Sequence, residues 1–459
     1  TNEGEIISMS NVATEKKTTV PNGGGFSGLF KKEDYWAVWL GLGLTLVAII
    51  LWATGSNFMK WIAISIPSYD NLAVPMEYIT KNIGAIITLF VILGLLFGFA
   101  LKVMGHKVKD FIIGFTFIFI LTLIISVWGS WNVMKSFNLE APLLALALGL
   151  VIGNFVKMPK WMDSALRTEF YVKTGIVLMG ATLPFTLIVE AGPVAFAQAT
   201  VIAVLTFVTI YFVGSKVLGL DKRFATCLAA GGSICGVSAS IAIGGSVKAE
   251  KHHVSVAISL VVVWAMIMIF VLPFMINLLG IPSGPAGAWI GTSEFADAAG
   301  MAAAAAIDEQ AIKTFTLMKV VGRDMFVGIW CFIMALIAVT KWEKREDGVK
   351  PSPSEIWYRF PKFVLGFFAA SIIITLLLTS LDPATAETAE KLVVSPLKTL
   401  RSWAFNLTFI CIGLTTRFRE LTSVGWKPLA AFTAGVLVNV PVGYLLSVVV
   451  LGDYWASIV

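Results

Sequence analysis

The chain is a succession of apolar runs, each close to the length of a bilayer crossing and separated by short polar connections. Lipid permits few folds for such a sequence. No water reaches the hydrocarbon to satisfy backbone N–H and C=O groups, so a crossing segment of about twenty residues is read as a helix, which satisfies its own. With 57% hydrophobic residues, 14% charged residues and a mean hydropathy of +0.85, the chain also carries more apolar surface than one soluble core could cover. The reading is an all-α polytopic membrane protein. Its net charge of +6 comes from Lys and Arg gathered between apolar runs, as in cytoplasmic loops, so no nucleic-acid partner is expected.

In order, the runs are Tyr35–Trp52, Asn82–Leu101, Phe111–Trp131, Leu139–Phe155, Phe170–Ile188, Pro193–Val213, Cys227–Val247, His253–Leu279, Ala288–Ala306, Lys313–Thr340, Phe363–Leu381, Pro396–Leu414 and Pro428–Leu451. Taken as crossings they number thirteen. The Lys31-Lys32 pair sets the N-terminus in the cytoplasm, and residues 1–33 are expected to form a disordered cytoplasmic tail. Met59–Ile66 is expected along the interface. Counting Ala288–Ala306 as a crossing sends the charged loop Lys341–Lys362 and the turn with Arg417, Arg419 and Lys427 to the cytoplasm. One stretch, Lys248–His253, then lies on the wrong side for the Lys/Arg bias.

A repeat appears at an offset of 233 residues. Gly180, Thr182, Phe185, Gly192, Tyr211, Leu218 and Gly219 recur as Gly413, Thr415, Phe418, Gly425, Tyr444, Leu451 and Gly452. An odd number of crossings between the copies inverts the second, a common construction in secondary transporters.

Two of the runs do not read as unbroken helices. Cys227–Val247, CLAAGGSICGVSASIAIGGSV, has Gly231, Gly232 and Gly236 at its centre, each costing roughly 1 kcal/mol against Ala in a helix interior. Opened backbone at that depth is tolerated where it is buried in protein or lines a wet cavity. An interruption there would free N–H groups at the start of the second half-helix, and with Ser233, Cys235, Gly236, Ser238 and Ser240 these make a candidate anion site. The competing reading is a kink that permits close packing. The second irregular run holds Thr292, Ser293, Glu294 and Asp297 ahead of an alanine-rich half interrupted at Gly300. Carboxylates within a crossing are costly and usually serve ion coupling or proton transfer, unless, as is open for Glu294, they sit hydrated at the interface. With one crossing between them the two irregular runs would point the same way, so nothing in the sequence brings them together.

Lys319 and Arg323 lie four apart in an otherwise apolar run, with Asp324 beside them. They suit an anion, or compensation of Asp297, or a static network that staples helices. Cys227, Cys235, Cys331 and Cys411 sit in apolar runs without metal-ligand spacing, and no two of His106, His252 and His253 have the i, i+4 spacing of a helical zinc pair. No GxxxxGK[ST] motif is present, so neither a metal site, an enzyme nor an ATP-driven pump is expected.

GGSICGVSASIAIGGSVKAE at Gly231–Glu250 resembles the YeiH-like membrane proteins named as sulfate exporters. LALGLVIGN at Leu146–Asn154, FNLTFICIGLTTRF at Phe405–Phe418 and the Lys319 and Arg323 pair carry the same resemblance. It implies common ancestry with the cation:proton antiporter and anion transporter group, whose fold uses inverted five-helix repeats and broken helices. A ten-helix core over residues 136–459, with hairpins near 170–219 and 403–452, would then follow a three-span extension at 34–135. Many members resembled carry a His-Glu pair followed by Gln in the second irregular run, where this chain has Glu294-Phe295-Ala296-Asp297. The expected function is secondary active transport of a small oxyanion, sulfate or a small sulfonate, by alternating access in a bacterial inner membrane. Ser233, Cys235, Gly236, Ser238, Ser240, Thr292, Ser293, Lys319 and Arg323 would bind it. Asp297 and Glu294 would carry coupling H⁺ or Na⁺, the only expected cofactor. A cation-coupled carboxylate or bicarbonate carrier and a gated anion channel are the alternatives, and Gly41, Gly43, Gly94 and Gly98 offer small-residue faces for homodimer contacts.

Overall fold

In the computed structural model, which describes residues 31–136, 141–342, 357, 360–416 and 425–458, regular structure is helical apart from an isolated bridge between Tyr69 and Trp131. Leaving aside short helices at Phe58–Ile62, Ala73–Lys81, Asn132–Ser136 and Pro383–Ala389, the α-helices begin with α1 (Glu33–Ala53), α2 (Ile83–Val103), α3 (Val108–Gly129), α4 (Ala141–Phe155), α5 (Thr168–Gly180) and α6 (Phe185–Phe212). Then come α7 (Lys222–Ser233), α8 (Val237–Ser246), α9 (Lys251–Leu279), α10 (Ser283–Ser293), α11 (Asp297–Ala305), α12 (Glu309–Thr316) and α13 (Val327–Ile337). The chain closes with α14 (Phe363–Ser380), α15 (Ser395–Thr415), α16 (Trp426–Tyr444) and α17 (Gly452–Ile458). Among the described residues, seven helices are long and apolar enough to cross a membrane, and the bent run from Glu309 to Trp342 makes an eighth. The chain is therefore a multi-pass membrane protein. The expected tail at residues 1–30, most of the 341–362 loop, and Arg417, Phe418 and Arg419 lie outside the described residues.

The thirteen-crossing count is not confirmed, and two segments depart from it. In the first, α7 and α8 lie side by side as an antiparallel hairpin: Ser240 Oγ donates to the Cys227 carbonyl at 3.3 Å, and a Cβ on Gly244 would sit 3.1 Å from Cys227 Sγ. At its open end Arg223 Nη1 donates to the Lys248 carbonyl at 3.2 Å, so the segment leaves beside where it came in. The second segment does the same. Ser283 at the start of α10 bonds Asp308 just beyond α11, and Gly300 of α11 packs on Phe315 of α12. Between the two hairpins runs α9, whose 29 residues span about 43 Å at 1.5 Å per residue, so they open at opposite ends of it. Twenty-one apolar residues suit one crossing helix or two antiparallel half-helices equally, and hydropathy alone does not separate the two.

Close approach of backbones organises the rest. Gly149 and Gly153 of α4 lie against the α15 backbone at Ile410, Gly413 and Leu414, Gly180 of α5 against the Phe367 carbonyl of α14, and Gly435 of α16 against Ile210 of α6. The turn after α5 falls at Ala181–Pro184 and not in the gap between the runs Phe170–Ile188 and Pro193–Val213, because α6 runs through Pro193 without a break. Gly41 packs on Val177, Gly94 and Gly98 on Phe115 and Phe111, and only Gly43 of these four has open space around it. The first helix is also tied to the core by ion pairs, Arg167 to Glu33 at 3.3 Å and Lys173 to Asp34 at 2.8 Å. Met59, Ile62, Ile64 and Ile66 are buried, and the Ile64 carbonyl accepts from Trp403 at 2.9 Å.

Candidate functional site

The two hairpins meet tip to tip. The first turns through Ile234, Cys235 and Gly236, and Gly236 has φ 70° and ψ −121°, a conformation essentially confined to glycine. A Cβ there would lie 2.1 Å from the Phe295 carbonyl oxygen, at the tip of the second hairpin. Two independent constraints thus require glycine at the crossing point. The sequence had marked both interruptions but gave no means of joining them.

Four half-helix ends converge at this point, and charged side chains sort themselves by helix polarity. The last turns of α7 and α10 present carbonyls without helical partners, the negative ends of their dipoles. Arg323 fills both: Nη1 donates to the Gly291 and Thr292 carbonyls at 2.9 and 3.0 Å, and Nη2 to the Ser233 carbonyl at 2.8 Å. One guanidinium therefore holds the two tips together. Lys319 Nζ donates to the Glu294 carbonyl at 3.2 Å and stands 3.4 Å from Asp297 Oδ1. Asp297 opens α11, where a carboxylate faces the positive end of a dipole. Glu294 Oε1 accepts from the Phe295 and Ala296 amides at 2.9 and 3.2 Å. Glu294 is fully buried, so the hydrated interfacial placement left open by the sequence does not occur.

Lys319 and Arg323 reach these partners because their helix is not regular. A π turn at Leu317–Val321 is followed by a 3-10 turn at Asp324–Phe326, and the run from Glu309 to Trp342 bends by 40° there. The sequence suggested two cations on one face of an ordinary helix. Instead, the widened turn points both into the crossing, and both are almost wholly buried. Such irregular turns are frequent at functional sites.

The hydroxyl groups are less gathered than the cations. Ser233 Oγ donates to the Ala229 carbonyl at 2.6 Å, Ser240 Oγ bridges the hairpin arms, and Thr292 Oγ1 donates to the Trp289 carbonyl at 2.9 Å while standing 3.4 Å from Ser293 Oγ. Cys235 is buried among Ile234, Val327 and Cys331. Ser238, in the first turn of α8, is exposed, and no side chain caps that helix start. Of the predicted anion site, then, the α8 start has no side-chain cap and Ser238 is exposed, Gly236 is packed against the Phe295 carbonyl, and the other hydroxyls bond to nearby backbone or to one another. The site holds two cations and three carboxylates, Glu294, Asp297 and Asp324. A bound anion would need accompanying cations or protons to avoid a surplus of negative charge.

Sequence reasoning missed a second buried charge cluster. Arg401 of α15, 1% exposed, makes a two-pronged bond to Glu309 at 3.0 and 2.8 Å and donates to Thr182 Oγ1 at 2.8 Å. It joins α15, the start of α12 and the end of α5. Its only sequence signal is an arginine inside the run Pro396–Leu414.

A family model described as "Conserved hypothetical protein 698" matches residues 113–432. A "UPF0324 membrane protein" of Rhodopirellula baltica is 34% identical over 388 residues, covering 83% of this chain and 71% of that protein. A Nitrosomonas europaea protein of the same description is 31% identical over 471 residues, covering 91% of this chain and 95% of its own. The chain spans 65% of the length of a similar Nitratidesulfovibrio vulgaris protein, to which it is 33% identical. The "UPF0324 inner membrane protein YeiH" of Salmonella typhi is 29% identical over 312 residues, covering 66% of this chain and 84% of that protein. No solved structure matches. The chain belongs to the UPF0324 family of membrane proteins, the YeiH-like family that its SICG stretch resembles.

Proposed function

We propose that the protein is a secondary active transporter of a small oxyanion, sulfate or a small sulfonate, working by alternating access in the bacterial inner membrane. The observation that carries the reading is the tip-to-tip contact of two helical hairpins, clasped by buried Arg323 with buried Lys319 on the second tip. Opened helices meeting at mid-depth are the usual seat of substrate in such carriers. The α8 N-terminus with Gly236 and Ser238 receives the anion, Lys319 and Arg323 neutralise it, and Ser233, Cys235, Ser240, Thr292 and Ser293 line the site. Asp297 and Glu294 bind the coupling H⁺ or Na⁺. No chemical transformation is proposed.

An inverted repeat fits this reading. Thr206 and Asn439 are 233 residues apart, the offset found in the sequence, and Asn439 Nδ2 donates to Thr206 Oγ1 at 2.9 Å, as equivalent positions on a two-fold axis would. The π turns at Val213–Val217 and Leu445–Val450 also correspond at that offset. With the N-terminus in the cytoplasm, hairpins that turn back put Lys248–His253 in the cytoplasm too, which removes the one exception to the Lys/Arg bias.

The test is counterflow of labelled sulfate into liposomes preloaded with unlabelled sulfate, which needs no knowledge of the driving ion. The reading expects uptake that sulfonates compete away and that Lys319→Ala and Arg323→Ala abolish. Folded protein without sulfate or sulfonate uptake would refute the oxyanion assignment, with carboxylates and bicarbonate screened next. Electrical currents far above carrier turnover would indicate a channel.

A further inference from the structure

Asp324 stands apart from the other acids of the site. Glu294 takes two amide bonds and Asp297 faces Lys319, whereas Asp324 is 2% exposed and, among the described residues, neither of its carboxylate oxygens has a hydrogen-bond partner. The next residue back, Arg323, directs its terminal nitrogens to carbonyls of the two tips and none to Asp324. The charged and titratable groups acting on Asp324 are Asp297 of α11, Lys319 and Arg323 of its own run, and Glu169 of α5, with Cys235 at the first tip. Two of these are carboxylates and two are cations, so their charges oppose one another, and burial without a hydrogen-bond donor is what sets Asp324 apart. An ionised carboxylate without a donor in such a place is costly, and one that carries a proton avoids most of that cost.

We propose that Asp324 is a further proton carrier of the transport cycle, beside the coupling-ion site at Asp297 and Glu294: it holds a proton while Arg323 clasps the tips, and gives it up when Arg323 turns to it. The step balances simply. The Asp324 O–H bond breaks, the proton leaves to water, and the carboxylate pairs with a guanidinium whose own charge does not change. The Ser233, Gly291 and Thr292 carbonyls lose their shared donor at that moment, and the tips are free to part. Glu169 is the way out. Its side chain is 45% exposed, stands 3.6 Å from Lys173 and interacts electrostatically with both Asp297 and Asp324, and the proposed proton route runs through it. The proposal deepens the transport reading and rests on it for the word "cycle"; the proton site itself does not.

The experiment reads the two separately. In the infrared spectrum of the purified protein at neutral pH, a deuterium-sensitive stretch of protonated carboxyl groups is expected. Asp324→Asn removes one carboxyl's share of it, and Asp297→Asn leaves that share in place. Wild-type protein without the band, or Asp324→Asn that keeps it in full, overturns the proposal. In liposomes, an inward proton gradient is expected to raise labelled-sulfate uptake severalfold in wild type, and Asp324→Asn loses that ratio. If the ratio survives in Asp324→Asn, the carrier role is wrong. Wild-type liposomes that move no sulfate, with the band still lost in Asp324→Asn, would count against the transport reading and leave the proton site standing.

Discussion

Gly236→Ala probes the contact on which the site depends. At φ 70° and ψ −121° an alanine is strained by about 1–3 kcal/mol, and its Cβ would fall 2.1 Å from the Phe295 carbonyl and 3.0 Å from Val261 Cγ1. The first of these neighbours is backbone and has no rotamer to adopt. Relief requires the tips to separate by about 1 Å, enough to weaken the Arg323 bonds that bridge them, each worth about 1.5–3 kcal/mol as a hydrogen bond to a charged group. A total near 3 kcal/mol or more corresponds to a change of about a hundredfold in an equilibrium constant. Gly219 is the control, since it too has positive φ, 69°, but nothing lies within 4 Å of its missing Cβ. The assay is thermal unfolding in detergent followed by tryptophan fluorescence, paired with sulfate counterflow. Gly236→Ala should unfold several degrees below Gly219→Ala and lose transport. If the two variants behaved alike in both measurements, the tips would not be in contact.

Other expectations follow from the same geometry. Arg401→Ala removes the two-pronged partner of the partly buried Glu309 and the donor to Thr182, leaving Glu309 only Lys398 at 3.7 Å, so it should destabilise by about 1–3 kcal/mol, and a double-mutant cycle with Glu309→Gln in thermal unfolding should return a coupling above about 1 kcal/mol. His106, in the α2–α3 connection, takes a hydrogen bond from Arg167, and burial and then the Arg167 charge lower its pKa. The unfolded chain therefore binds a proton more readily than the folded one. Stability is fully present above about pH 6.5, the ordinary imidazole value, and falls as the pH drops toward the lower folded value. His106→Gln should flatten that decline in melting curves recorded between pH 5 and 8, and an unchanged decline would remove His106 as its source.

The sequence carried the helical membrane class, the two interruptions and the pair of buried cations, because each is a local departure from an apolar background. Gly236 could be read as a break from its neighbours alone. What Gly236 touches could not, since Phe295 contributes a backbone carbonyl that any residue would supply. The same holds for Arg323, whose partners are three carbonyls and leave no trace in side-chain chemistry. Arg401 and Glu309 are 92 residues apart and pair only once α5, α12 and α15 are assembled. The turning back of Cys227–Val247 was hidden for a different reason: length and hydropathy record that a segment is apolar, not whether its far end returns to Arg223. The contact between Arg223 and Lys248 settles that, and only folding creates it.

The most direct measurement is the sidedness of single cysteines placed at Arg223, Lys248, Ser283 and Asp308 in protein whose four native cysteines, all buried, have been replaced. In sealed oriented vesicles, an impermeant thiol reagent should label Arg223→Cys and Lys248→Cys from one side, and Ser283→Cys and Asp308→Cys from the other. Labelling Arg223→Cys and Lys248→Cys from opposite sides would mean that Cys227–Val247 crosses the membrane, and the paired hairpins, with the site at their tips, would be wrong.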